Sequence, residues 1–151
     1  MLNWDVFQGA GIALISITGG ALLQEFLVRR ADRRERRMQF AHDTLLNLQA
    51  AIGDLAIAAE QIDGDKRAAG TWVTAEQGSA WGDLNKSRVQ TIRYGVLAND
   101  EALERLAREL ELAYAQMASA TSASESARTR ATARDLLRQT NIRIGQRMRD
   151  A

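Results

Sequence analysis

The chain contains no cysteine and no proline, and His42 is the only histidine among its 151 residues. The missing cysteines exclude disulfide bonds and thiolate metal sites, and one histidine alone cannot define a metal site. Because proline is the strongest helix breaker, its absence favours long helices in a chain rich in alanine, leucine, arginine and glutamate. We therefore predict an all-α fold.

The sequence also lacks the motifs that mark common active sites. It has no glycine-rich phosphate loop, no HExxH and no GxSxG. Asp63 and Asp65 resemble the start of a calcium loop, but the remaining ligands are missing. Aromatic residues are only 5% of the chain and the net charge is only +1, which is unlike most nucleic-acid readers. We expect no catalytic residue, cofactor, metal, small-molecule substrate or nucleic-acid partner.

Residues 1–28 have the pattern of a transmembrane anchor. No charged side chain occurs from Gly9 to Leu23, and the wider window Phe7–Val28 admits few strongly polar residues. A membrane-spanning helix needs roughly 20 mostly apolar residues, and aromatic rings near both ends suit the headgroup level. We predict a single transmembrane helix here; a buried helix of a soluble core is the alternative.

Arginine follows the apolar run instead of preceding it. Basic segments remain on the cytoplasmic side, so we predict an N-terminus outside the cell membrane and a cytoplasmic C-terminus. The arginine collar, which we expect to contact membrane lipid, comprises Arg29, Arg30, Arg33, Arg34, Arg36 and Arg37. It opens the segment 29–62, which we predict to continue the membrane helix.

The predicted anchor has a face of small residues at helical spacing: Gly9, Ala13, Ser16 and Gly20. Such residues let helix backbones approach closely in lipid, which favours packing against a second copy or another membrane protein. A face that merely permits contact is the alternative.

A seven-residue repeat follows the collar. Its apolar positions alternate in steps of four and three: Ala41, Leu45, Leu48, Ile52, Leu55, Ala59 and Ile62. This spacing is typical of a bundle or coiled-coil seam. Leu46, Ala50 and Ile57 widen the apolar face and favour a bundle. We predict one helix from about Asp5 to Gln61.

Glycine and aspartate mark residues 63–78 as a connector. Within it, Trp72 either closes the end of the bundle or is a candidate anchor for a partner. Residues 79–151 should form the three remaining helices. We expect these over Ser79–Ala98, over Asp100–Ala118 behind an Asn99 cap, and from the Ser122–Glu125 capping box to about Arg149.

Charge and connection lengths predict how these helices meet. Short turns make neighbours antiparallel, which would bring the C-terminal arginines Arg143, Arg147 and Arg149 towards the membrane. The stripe Arg130, Arg134 and Arg138 should pair with acids of the third helix, Glu101, Glu104, Glu109 and Glu111.

A Gly/Ala-rich span, the sequence RRADRRERR and Ala/Leu/Arg-rich helices together resemble small uncharacterised membrane-anchored proteins of actinobacteria and their phages. The resemblance is one of architecture over residues 1–40. It implies a location, and it implies neither an activity nor a functional residue.

These features predict a single-pass membrane protein whose cytoplasmic helical bundle is a scaffold or an accessory subunit of a membrane complex. Two alternatives remain. One is an oligomeric pore-former of the holin or toxin class, and the other is a soluble helical protein that binds anionic membranes through arginine.

Overall fold

A computed structural model describes residues 4–72 and 78–150, and describes side chains from Leu27 onward. It contains four α-helices: α1 (Trp4–Ala69), α2 (Ser79–Leu97), α3 (Glu101–Ser119) and α4 (Ala123–Asp150). No strand occurs in these described ranges. The prediction of an all-α, four-helix protein is confirmed.

The chain divides into two compact units, residues 1–40 and residues 41–151. In the first unit, every described side chain from Leu27 to Phe40 is exposed, including the whole arginine collar. The second unit is the bundle, whose core joins α2, α3 and α4 to the part of α1 that begins at Leu45.

No helix among the described residues has an apolar stretch long enough to cross a bilayer. Nearly all of the predicted anchor, residues 1–28, lies outside the described side chains. The small-residue face of Gly9, Ala13, Ser16 and Gly20 lies wholly outside them. Both therefore stay predictions.

The heptad seam of α1 is confirmed, because its positions from Leu45 to Ile62 are buried in one cluster. The predicted widening of this face is wrong: Leu46 and Ile57 are 46% and 69% exposed. Ala51 and Ala58 are buried instead. Such small side chains let neighbouring helices approach closely on their side, which leaves the larger residues facing outwards.

Helix α1 continues to Ala69, so the first seven residues of the predicted connector, 63–69, are helical. Asp63 and Lys66 are buried, and bonds from their side chains hold this turn against α3 and α4. These contacts outweigh the low helix propensity of Gly64. Gly70, the residue after the helix, has φ +65° and donates to the Arg67 carbonyl at 3.2 Å.

Helix α2 packs through one leucine and three small or polar residues: its buried positions are Leu84, Ser87, Thr91 and Gly95. The larger apolar residues Val89 and Val96 are exposed. A Cβ on Gly95 would lie 2.8 Å from the Cβ of Ala107 in α3, so this approach requires glycine. Gly78 is the N-cap residue of α2, and no side chain makes a capping hydrogen bond at this helix start.

The caps of α3 and α4 follow the expected chemistry with small shifts in position. Asp100, not Asn99, caps α3, and its Oδ1 accepts from the Leu103 N–H at 3.0 Å. One half of the predicted capping box is confirmed, since Ser122 Oγ accepts from the Glu125 N–H at 3.2 Å. The Glu125 carboxylate accepts from the N–H of Thr121, one residue before the cap, at 2.9 Å.

Contacts at both ends of the bundle confirm the antiparallel arrangement. At one end, the last turn of α1 bonds to the end of α3 and the start of α4 through Lys66 and Asp63. At the other, Asp100 before α3 bonds to Arg143 near the end of α4. We name these the Asp63 end and the Asp100 end.

Candidate functional site

A buried carboxylate organises the Asp63 end. Asp63 is fully buried, and its two oxygens accept from Ser126 Oγ, from the Arg130 guanidinium and, at 2.7 Å, from Arg67. A buried charge is tolerated only when it is paired and hydrogen-bonded, as it is here. The predicted pairing of Arg130 with α3 is therefore wrong, because Asp63 of α1 binds it.

Lys66 lies one turn further along α1 and closes the end of α3. Its Nζ donates to the carbonyl oxygens of Ala118 and Ala120 at 2.6 and 3.0 Å. These carbonyls belong to the last turn and the C-cap of α3, where intrahelical donors are missing and a cation is favourable. Burial lowers the pKa of Lys66, and the charge of Glu125 partly opposes this shift.

A second ion cluster closes the Asp100 end. The Asp100 carboxylate is 2.7 Å from an Arg143 nitrogen and 3.2 Å from Nε of Arg147. Burial alone would raise the pKa of Asp100. Hydrogen bonds from Arg143 and from the Leu103 N–H, together with the positive charges of Arg143 and Arg147, outweigh this effect, so the pKa of Asp100 is lowered. Two of the three arginines predicted to face the membrane are thus bound within the bundle, and Arg149 is exposed.

The remaining charges pair differently from the prediction. Glu111 of α3 pairs with Arg88 of α2. Glu104 pairs with Arg108 of its own helix at 2.9 Å, and Arg138 pairs with Asp135 at 3.0 Å. The predicted α3–α4 stripe of ion pairs is therefore wrong. These contacts link α2 to α3 or lie within single helices.

The outward face of α1 is the candidate site. Leu46, Ala50, Gly53 and Ile57 lie on one helix face in steps of four, three and four, and all four are exposed. We call them the α1 stripe. A Cβ added to Gly53 would meet no atom within 4 Å, so the middle of the stripe is open.

The charges that α1 itself places around the stripe have one sign. Asp43, Asp54 and Glu60 are exposed on the same stretch of helix. No lysine or arginine occurs between Ala41 and Asp65. This part of the surface therefore combines two exposed aliphatic side chains with carboxylates.

A groove of about 290 Å³ separates the stripe from α2. Ile57 is the largest aliphatic side chain on its rim, and Lys86 of α2 is its one cationic group. It is lined by Asp54, Ile57, Ala58, Gln61, Asp83, Lys86, Ser87 and Gln90. With two carboxylates and one ammonium, the lining is acidic on balance.

Exposed aliphatic side chains also lie on the other helices. On α2, Val89 is 67% exposed and Val96 is 47% exposed. Leu112 of α3 is 53% exposed and Ile142 of α4 is 54% exposed. Ile142 lies beside Arg134, Arg138, Leu137 and Asn141 in a shallow depression. The α4 surface at this point is therefore basic, in contrast to the α1 stripe.

The predicted site residues fall in several places. The arginine collar is exposed, and Trp72 is partly exposed, so its role as core residue or partner anchor stays a prediction. Trp81 packs against the core. Sequence reasoning missed Lys66 as a packing residue, although it continues the seam of Leu55, Ala59 and Ile62 by one more step of four.

The part of the chain that the structure describes holds no group of three or more histidine, aspartate or glutamate side chains able to bind a metal. No protein-family model, curated protein or solved structure matches the chain. The architectural resemblance noted from the sequence therefore stays a prediction. The candidate site offers apolar contact and negative charge, which are the means of binding another macromolecule.

Proposed function

We propose that this protein is a non-catalytic interaction protein. Its helical bundle is a docking module, held at the inner face of the cell membrane by the N-terminal segment, and it acts as a scaffold or an accessory subunit of a membrane complex. The observation that carries this proposal is the outward display of large aliphatic side chains, above all Ile57, on a bundle whose core is filled. Large aliphatic side chains that stay exposed after the core is filled are available to contact a partner.

The two ion clusters support the same function. The Asp63 cluster and Lys66 hold α1 against α3 and α4, while Asp100 holds α3 against the end of α4. Because both ends of the bundle are fixed by these bonds, the outward faces of its helices keep one arrangement. A preorganised surface binds a partner with less loss of conformational entropy.

The membrane location is supported by the sequence pattern of residues 7–37. An apolar run followed by six arginines fits a span with a cytoplasmic basic flank. All six collar side chains are exposed to solvent, where lipid phosphates could reach them. Each basic residue close to an anionic leaflet contributes about 1 kcal/mol.

The exposed collar also favours the second candidate function, a helical protein that binds anionic membranes peripherally through arginine. The two functions differ in how the chain is held. A spanning helix is held by apolar burial, which alkali and salt leave intact. A peripheral protein is held by charge, which salt screens.

Carbonate extraction of membranes separates these candidates. We expect the full chain to stay in the membrane pellet, and we expect the same of a variant with all six collar arginines replaced by glutamine. Release of either chain into the supernatant would contradict the anchor and favour peripheral binding. Purification in mild detergent then tests the interaction, and recovery of the protein only as a lone monomer would contradict it.

A further inference from the structure

We propose that the α1 stripe and the adjoining α1–α2 groove bind a basic amphipathic helix of a partner protein. The inference rests on the proposed interaction function and assigns to it a surface and a class of partner. The helix would lay an apolar face along Leu46, Ala50, Gly53 and Ile57. Its lysine or arginine side chains would lie beside Asp43, Asp54 and Glu60.

The shape of the stripe suits a helix. Its apolar positions recur every three or four residues, the spacing at which an amphipathic partner helix presents its own anchors. The centre of the stripe is occupied by the small residues Ala50 and Gly53, with the larger Leu46 and Ile57 on either side. The space over Gly53 is open. A partner backbone can therefore come close at the centre while its side chains pack on both sides.

The charges identify the kind of helix. Every charged side chain of α1 from Ala41 to Asp65 is acidic. The one cation that lines the groove is Lys86, and the carboxylates of Asp54 and Asp83 line it as well. Complementary charge raises association rates and suppresses partners of the wrong sign. An acidic or neutral helix would gain less at this surface than a basic one.

The same charges disfavour a second copy as the occupant. In a two-fold contact the same patch meets itself. A parallel pairing of two stripes would bring Asp54 against Asp54, and an antiparallel one would bring Asp43 towards Glu60. Like charges placed together across an interface are repulsive, so the stripe is not built for self-association.

Disulfide trapping on the full chain in detergent tests the proposal, because the protein has no cysteine of its own. The variant Ile57→Cys is offered a synthetic Leu/Lys amphipathic helix, about 18 residues long, with one cysteine in the centre of its apolar face. Oxidised glutathione is added as the disulfide oxidant and accepts the two electrons released when the two thiols join. The matched control is Leu112→Cys, also exposed but outside the stripe. We expect trapping about tenfold faster at position 57 than at 112.

Two further arms test the role of charge. We expect a Leu/Glu helix of the same length to be trapped no faster at position 57 than at 112. Neutralising the stripe with Asp54→Asn and Glu60→Gln should slow trapping of the Leu/Lys helix several-fold. Circular dichroism of each variant checks that the helices are retained.

Equal trapping of the Leu/Lys helix at both positions, or equal trapping of Leu/Glu and Leu/Lys at position 57, would overturn the proposal. Faster formation of an Ile57→Cys homodimer than of the peptide adduct would also overturn it, by making a second copy the occupant. Faster trapping at Leu112→Cys than at Ile57→Cys would show that the α1 stripe is not the binding surface. It would not contradict an interaction function. If the peptide is trapped at neither position and no protein co-purifies with the chain, the proposed function fails as well.

Discussion

The side-chain nitrogen of Lys66 lies 2.6 Å from the carbonyl oxygen of Ala118, so a side chain of α1 binds the C-terminal end of α3. The same nitrogen reaches the Ala120 carbonyl at 3.0 Å. Residues far apart in the chain thus share one end of the bundle. This bond requires α1 to remain helical past Gln61, through the segment whose glycine and aspartate predict a connector.

Replacing Lys66 with methionine should destabilise the bundle. The apolar stem is kept, but two buried carbonyl oxygens lose their donor, and leaving such a group unsatisfied costs about 1–3 kcal/mol. The expected loss appears as a lower free energy of unfolding in urea titrations followed by circular dichroism. Lys86→Met, at an exposed position, is the control and should change stability by less than about 0.5 kcal/mol.

Asp63→Asn should be more damaging than Lys66→Met. The substitution leaves Arg130 without its buried counter-charge, and breaking a buried ion pair from one side costs about 3–5 kcal/mol. Asp65→Asn, two residues away and exposed, should be close to neutral. Equal free energies of unfolding for Asp63→Asn and Asp65→Asn would show that Asp63 does not hold α1 to α4.

Acid should weaken the Asp100 end. The pKa of Asp100 is lowered in the folded protein, so its stabilising charge is fully present above the unfolded pKa of about 3.9. That contribution is lost as pH falls through the lower, folded pKa. Asn caps helices about as well as Asp, so Asp100→Asn keeps the α3 cap while removing this titration.

Unfolding free energies measured across the acidic range provide the check. The stability of the native chain should fall more steeply with decreasing pH than that of Asp100→Asn. Parallel pH profiles would contradict a stabilising ion pair between Asp100 and Arg143.

Gly95→Ala and Gly82→Ala make a matched pair within α2. The new methyl group at position 95 would meet Ala107 at 2.8 Å, and overpacking of this kind costs about 1–3 kcal/mol. At position 82 a Cβ meets nothing within 4 Å, so alanine should stabilise the helix by up to about 1 kcal/mol. Thermal unfolding should therefore shift in opposite directions for the two variants.

The sequence predicts the parts of the fold that depend on local chemistry. The seam from Leu45 to Ile62, the Ser122 cap of α4 and the antiparallel order follow from residue spacing, caps and turn length. Each involves neighbours within one helix or across a short turn.

The errors arise where distant residues decide the outcome. Asp63 is a turn former in isolation, but its bonds to α4 make it part of a helix. Arg130 could have paired with any nearby acid, and only the packing of α1 against α4 selects Asp63. Leu46 and Ile57 are as apolar as the seam, and the closer approach allowed by Ala51 and Ala58 determines which row is buried.

Photo-crosslinking of the full chain in its native membrane tests the central claim most directly. A photoreactive phenylalanine analogue is placed at position 57 in one variant and at position 112 in another. We expect position 57 to give a discrete adduct with one partner protein, position 112 to give none, and Asp54→Asn with Glu60→Gln to diminish the adduct at 57. The absence of an adduct at 57, the same adducts at both positions, or an adduct made only of two copies of this chain would contradict a partner bound at the α1 stripe.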